Sequence, residues 1–107
     1  MTDRELGGNI VLSNFELDEQ EMIVAKKLIG NCAEKIRHFH DYEELKVEMK
    51  THLKGKNKHF EIKAMLAYNG NIASSEGQGL NPFVIISEIL EKILKEVEHT
   101  VKKENKK

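Results

Sequence analysis

Leu45-Lys46-Val47-Glu48-Met49-Lys50-Thr51-His52-Leu53-Lys54 alternates without a break, and its period of two decides the architecture. One side is apolar or β-branched and the other is charged or polar, the pattern of a strand covered on one face and wet on the other. Gly55-Lys56-Asn57-Lys58 reads as a turn. Phe60, Ile62, Ala64 and Leu66 then alternate with His59, Glu61, Lys63 and Met65, which makes the next strand. Tyr68-Asn69-Gly70-Asn71 carries Asn-Gly, a strong hairpin signal because both central turn positions need positive φ. Ile72-Ala73-Ser74-Ser75 is a further strand, and Glu76-Gly77-Gln78-Gly79 is read as the exit from the sheet.

On either side of this block the period changes to that of a helix. Asp18-x-x-Glu21 is a capping-box pattern in front of Met22, Ala25, Ile29, Cys32, Ile36 and Phe39, whose spacings of three and four form one face. That helix should end near His40-Asp41. The last helix is expected from Asn81 as cap and Pro82 at the first helical position, with Phe83, Ile86, Leu90, Ile93, Val97 and Val101 as its stripe. Ile10-Val11-Leu12-Ser13-Asn14-Phe15 supplies a first strand. The expected class is α+β: a two-layer β-α-β-β-β-α domain, a four-stranded sheet with two helices packed on one face. Residues 1–8 are expected as a flexible tail closed by Gly7-Gly8, residues 9–103 as a single domain, and 104–107 as a Lys-rich C-terminal tail.

Composition removes several function classes. The chain has 107 residues, one cysteine, one proline and no tryptophan. A lone thiol, Cys32, cannot form an internal disulfide, which fits a reducing compartment. No run of eighteen apolar residues exists to cross a membrane, and residues 1–8 lack the apolar stretch of a signal peptide. The expected location is the cytoplasm. Lys and Arg number 17 against 18 Asp and Glu, so the charge of −1 does not by itself announce a polyanion partner. Placement of the charges has to decide.

Catalytic constellations are scarce. Cys32 sits on the apolar stripe and reads as a packed thiol rather than a nucleophile. His38 and His40 are two apart on a helix, about 200° around its axis, and cannot share an ion. His52 and His59 flank a turn and can approach each other, yet two histidines without a third ligand make a weak metal site. Gly77-Gln78-Gly79 lacks the further glycine or Gly-Lys-Ser/Thr of a nucleotide cradle. Neither cofactor, metal nor small-molecule substrate is expected, and no enzyme.

What remains is cationic clustering. Lys50, His52, Lys54, Lys56, Lys58 and His59 lie within ten residues containing no acid, placed to reach a phosphate backbone from a hairpin. Lys92, Lys95, His99 and Lys102 recur at helical spacing on the back of the last stripe, interleaved with Glu88, Glu91 and Glu98. Mixed charge of that kind is as readily a solvated face. On the first helix Lys26 and Arg37 share one flank with small Gly30 and Ala33 between them, and Lys35 lies toward the other flank.

The element order, the Leu45-Lys46-Val47-Glu48 strand and above all Ile72-Ala73-Ser74-Ser75-Glu76-Gly77-Gln78 before an amphipathic helix resemble the ribosome hibernation-promoting factor family, which includes the ribosome-associated inhibitor A proteins. The resemblance spans about residues 9–103 and is to the family's short form. It implies a non-enzymatic protein that binds the small ribosomal subunit through its RNA, occupies the decoding channel and inhibits translation under stress. It also implies an RNA-contacting role for Lys92, in Glu91-Lys92-Ile93, and for Lys35. The stretch Gly79-Leu80-Asn81-Pro82-Phe83 departs from the family's pattern after Glu-Gly-Gln. The full set of expected RNA-binding residues is Lys26, Lys35, Arg37, Lys54, Lys56, Lys58, Lys92, Lys95 and Lys102.

Two rival expectations stand beside this one. A generic double-stranded RNA-binding domain has a similar α-β-β-β-α core, but it grips phosphates with lysines at the start of its last helix, where this chain has Asn81-Pro82-Phe83-Val84. A homodimeric interaction module bridging two small subunits is the other, paired through a sheet edge.

Overall fold

The alternation around Leu45 turns into one-sided burial. In the computed structural model Leu45, Val47 and Met49 are fully buried, while Glu44 and Lys50 are exposed. The structure describes residues 4–7 and 9–104, with side-chain surroundings for 9–100. The elements are β1 (Arg4–Gly7), β2 (Ile10–Ser13), α1 (Glu19–Phe39), β3 (Glu44–Lys54), β4 (Asn57–Tyr68), β5 (Asn71–Gly79) and α2 (Pro82–Glu104).

The strands form one sheet in chain order, β1-β2-β3-β4-β5. β2 runs parallel to β3, with Ile10 opposite Leu45 and Ser13 opposite Glu48; the other neighbours are antiparallel. A parallel pair needs a crossover, and α1 provides it. Phe60, Ile62, Ala64, Leu66 and Tyr68 of β4 and Ala73 of β5 face the same core as β3. Met22, Ala25, Ile29, Ala33 and Ile36 of α1 and Ile86, Ile89, Leu90, Ile93 and Val97 of α2 close that core from above. The helices lie side by side, α2 against β4 and β5. The opposite face of the sheet is open. The α+β, two-layer expectation is met.

Local chemistry explains the boundaries. The Asp18 side chain accepts from the Glu21 amide at 2.8 Å, and Glu21 accepts from the Asp18 amide at 3.1 Å, so the capping box satisfies two N-terminal donors. Asn81 Oδ1 accepts from the Phe83 amide at 3.0 Å and caps α2. Asn69 and Gly70 both take positive φ, as their turn requires. At the β3–β4 turn only Gly55 does, the pattern of a type II′ loop.

Four expectations are corrected. Arg4–Gly7, expected as tail, forms an edge strand against β2, so among the described residues the sheet has five strands; residues 1–3, 8 and 105–107 lie outside the described set. α2 continues to Glu104, one residue into the expected C-terminal tail. Glu76–Gly79 does not leave the sheet. It stays paired with Phe60–Lys63, and only after Gly79 does the chain turn into α2. On α1 the stripe runs through Ala33 rather than Cys32, which is half-buried, and Phe39 is 38% exposed. Gly77 interrupts the apolar alternation in this half of β5. A Cβ there would meet Cγ2 of Ile85 at 3.2 Å and Cγ2 of Ile89 at 3.3 Å, so a glycine in mid-strand lets α2 settle close to β5.

Candidate nucleic-acid interface

β3 and β4 are longer than their neighbours. β2 covers β3 only as far as Glu48, and β5 covers β4 only from Tyr68 to Phe60. Past the pair Thr51–Phe60 the hairpin continues alone through His52–His59, Leu53–Lys58 and Lys54–Asn57 to the Gly55-Lys56 turn. Three unaccompanied pairs project the tip by roughly 10 Å at the rise of an antiparallel strand. The molecule is accordingly long, 55 × 24 × 20 Å.

Lys54, Lys56 and Lys58 are all exposed at this tip, and among the described residues no carboxylate is ion-paired with them. Alternation puts Lys54 on the open-face side of the ribbon and Lys58 on the helix side, with Lys56 at the turn. The two histidines come together as expected, directly opposite one another. Each is engaged further in: His52 Nε2 lies 3.5 Å from Glu61 Oε1, and His59 Nε2 lies 3.1 Å from Gln78 Oε1. Lys50 sits across from Glu61, so the uncompensated charge begins only beyond it. Among the described residues no cluster of three or more histidine, cysteine or carboxylate groups is arranged to hold a metal ion.

The helix cations are placed elsewhere. Thr100 Oγ1 of α2 reaches Tyr68 Oη at 3.2 Å, and the His40 ring meets the Tyr68 ring edge-on at 5.8 Å. The C-terminal ends of both helices therefore stand at the Tyr68 end of the sheet, about 35 Å along β4 from the hairpin tip. Arg37 is near that end, its guanidinium 5.3 Å from the centre of the Tyr42 ring. Lys95 pairs with Glu91 at 3.5 Å. Lys35 and Lys92 are exposed, Lys26 is half-buried, and Lys102 is in α2 with its side chain outside the described set. The nine expected residues thus do not converge on one patch: Lys54, Lys56 and Lys58 form a compact group, and the helix cations are dispersed and partly neutralised.

Two concavities accompany these groups. One, of about 320 Å³, lies between the helices and is lined by Cys32, Lys35, Ser87, Leu90 and Glu91 among others. Cys32 Sγ donates to the Leu90 carbonyl at 3.6 Å, and burial pushes its thiol up to about 11, against the opposing pull of Lys35. A thiol so protonated is a poor nucleophile. The other, of about 370 Å³, is an open depression on the bare sheet face where Glu48, Lys50, Glu61, Lys63 and Glu76 alternate in sign beside the neutral Gln78. Leu53 escaped the sequence reading, which placed it on the buried side of β3. It does point to the helix side, but no helix reaches over it, and it is 74% exposed.

The fold has solved counterparts. The crystal structure of the Thermus thermophilus protein Y N-terminal domain is similar with a TM-score of 0.53 at 19% identity, covering 85% of this chain and 92% of that one. A ribosomal subunit interface protein from Coxiella burnetii is similar with a TM-score of 0.58 at 6% identity, covering 83% of this chain and 90% of that one. No family model matches the chain, and no curated protein does. Among the described residues no helix is long and apolar enough to cross a membrane.

Proposed function

We propose that this chain is a ribosome-binding factor that contacts ribosomal RNA and performs no covalent chemistry. The observation that carries the proposal is the shared fold: over more than four-fifths of its length the chain follows the path of the protein Y N-terminal domain and of a ribosomal subunit interface protein. The arrangement of charge supports it. Among the described residues a body of near-zero net charge presents a concentrated, unneutralised cationic element, the β3–β4 tip, and an RNA surface is the polyanion such an element suits.

The mechanism is steric. A rigid two-layer domain occupies the decoding channel of the small subunit, held by lysines at phosphates, and excludes messenger and transfer RNA while it remains bound. Such a factor acts in the cytoplasm and suits the silencing of ribosomes under stress. Equilibrium binding to purified small subunits tests the role of the tip. The triple variant K54E/K56E/K58E should lose at least tenfold in affinity at moderate salt, because three attractions become three repulsions. Unchanged affinity removes the hairpin from the interface.

A further inference from the structure

The proposed RNA-binding role leaves open how the hairpin meets its partner, and the distribution of side chains around the ribbon bears on that. A cationic element that lies on a single phosphate backbone needs its lysines on one side. Here Lys54 and Lys58 project from opposite faces and Lys56 stands at the end between them. Cations on both faces suit a position between two backbones, where each face meets phosphates. The ribbon is also thin enough to enter: past Thr51–Phe60 neither β2 nor β5 accompanies it.

Leu53 is the second observation. It is the most exposed large apolar side chain among the described residues, at 74%, and it stands directly across from Lys58. An apolar group held out on a cationic ribbon loses free energy in water and recovers it against a base or sugar face. Proteins that enter nucleic-acid grooves use leucines in this way as wedges between bases.

Resting on the ribosome-binding reading, we propose that the β3–β4 ribbon inserts into a cleft between two RNA strands, with Lys54 and Lys58 each facing one backbone and Leu53 pressed against an unpaired base within. An acidic protein surface is the competing partner. It would welcome the lysines but has no unstacked base for Leu53.

The experiment uses purified small subunits and the full chain in four forms: wild type, K54A, K58A and L53S. All three substitutions are at exposed positions that the core does not use. Insertion requires K54A and K58A each to reduce the slope of log affinity against log salt by about 0.7–0.9. It requires L53S to weaken binding about fivefold or more with the slope unchanged. In addition, L53C in a C32A background, carrying a tethered iron chelate that generates hydroxyl radicals, should cut two RNA strands facing each other. A slope change from only one lysine, an L53S affinity equal to wild type, or cuts confined to one strand would overturn insertion. Binding that depends on the lysines without any RNA cleavage would assign the ribbon to a protein partner and also overturn it. If wild type itself fails to bind subunits in low salt, the ribosome-binding reading falls, and insertion with it.

Discussion

Gly77→Ala is the substitution whose outcome the structure fixes most narrowly. The added methyl would stand 3.2 Å from Cγ2 of Ile85 and 3.3 Å from Cγ2 of Ile89, at least about 0.2–0.3 Å inside the ordinary carbon–carbon separation. Neither neighbour can swing aside. Both are buried on α2, at 5% and 1% exposure, and a β-branched residue in a helix has essentially one χ1 rotamer. The helix itself must move, so an overpacking cost of about 1–3 kcal/mol applies. Restricting the unfolded chain offsets about 0.4–1 kcal/mol of that, because Gly77 does not use positive φ. The expected net is a loss of about 1 kcal/mol and a fall in Tm of about 4 °C. Gly79→Ala is the internal control. Its methyl would meet only the Ile85 Cδ1 and Cγ1 atoms at 3.7 and 3.8 Å, an ordinary contact, so it should gain up to about 0.5 kcal/mol. Urea unfolding followed by circular dichroism, with equal m-values required, measures both. Equal stability of the two variants would refute the claim that Gly77 exists to admit α2.

Three further outcomes follow from local chemistry. Thr51 Oγ1 is buried with no hydrogen-bond partner among the described residues, so T51V should raise stability by about 1 kcal/mol in the same urea assay. D18A removes the acceptor for the Glu21 amide and should cost about 1 kcal/mol and fray the start of α1, visible as faster amide exchange there. The Cys32 thiol, raised from 9.0 to about 11 by burial, should react with a disulfide reagent at pH 8 roughly a hundredfold more slowly in the native chain than in denaturant. By linkage the folded chain keeps that proton to higher pH than the unfolded one. The thiol's contribution to stability is therefore whole below pH 9.0 and lost as pH rises toward about 11, a decline C32A should lack.

Much of this molecule was legible in its sequence because periodicity reports burial directly. The alternation of β3 and β4, the Asp18 capping box, the Asn69-Gly70 turn and the Asn81-Pro82 start of α2 all stand where the residues placed them. The failures have a common cause, since each depends on a neighbour that local sequence does not name. Arg4–Gly7 has no apolar alternation and becomes a strand because β2 offers it a free edge. The far half of β5 hides its period because the residues beneath α2 are Ser75, Gly77 and Gly79, small rather than apolar. Leu53 has the pattern of a buried residue, and only the reach of the helices leaves it in water. For the site, the acid-free lysine run was evident, as was its hairpin setting. That the helix cations are spread along α1 and α2, with the C-terminal ends of both helices at the far end of the sheet from the tip, follows from the direction of the two helices, which no spacing of lysines reveals.

Sucrose-gradient fractionation of a cell lysate, probed for this protein, bears most directly on the role assigned to it. Comigration with the small-subunit peak in low salt, and release to the top of the gradient as salt is raised, is the predicted result. Protein that stays at the top in low salt, away from every ribosomal peak, would contradict it.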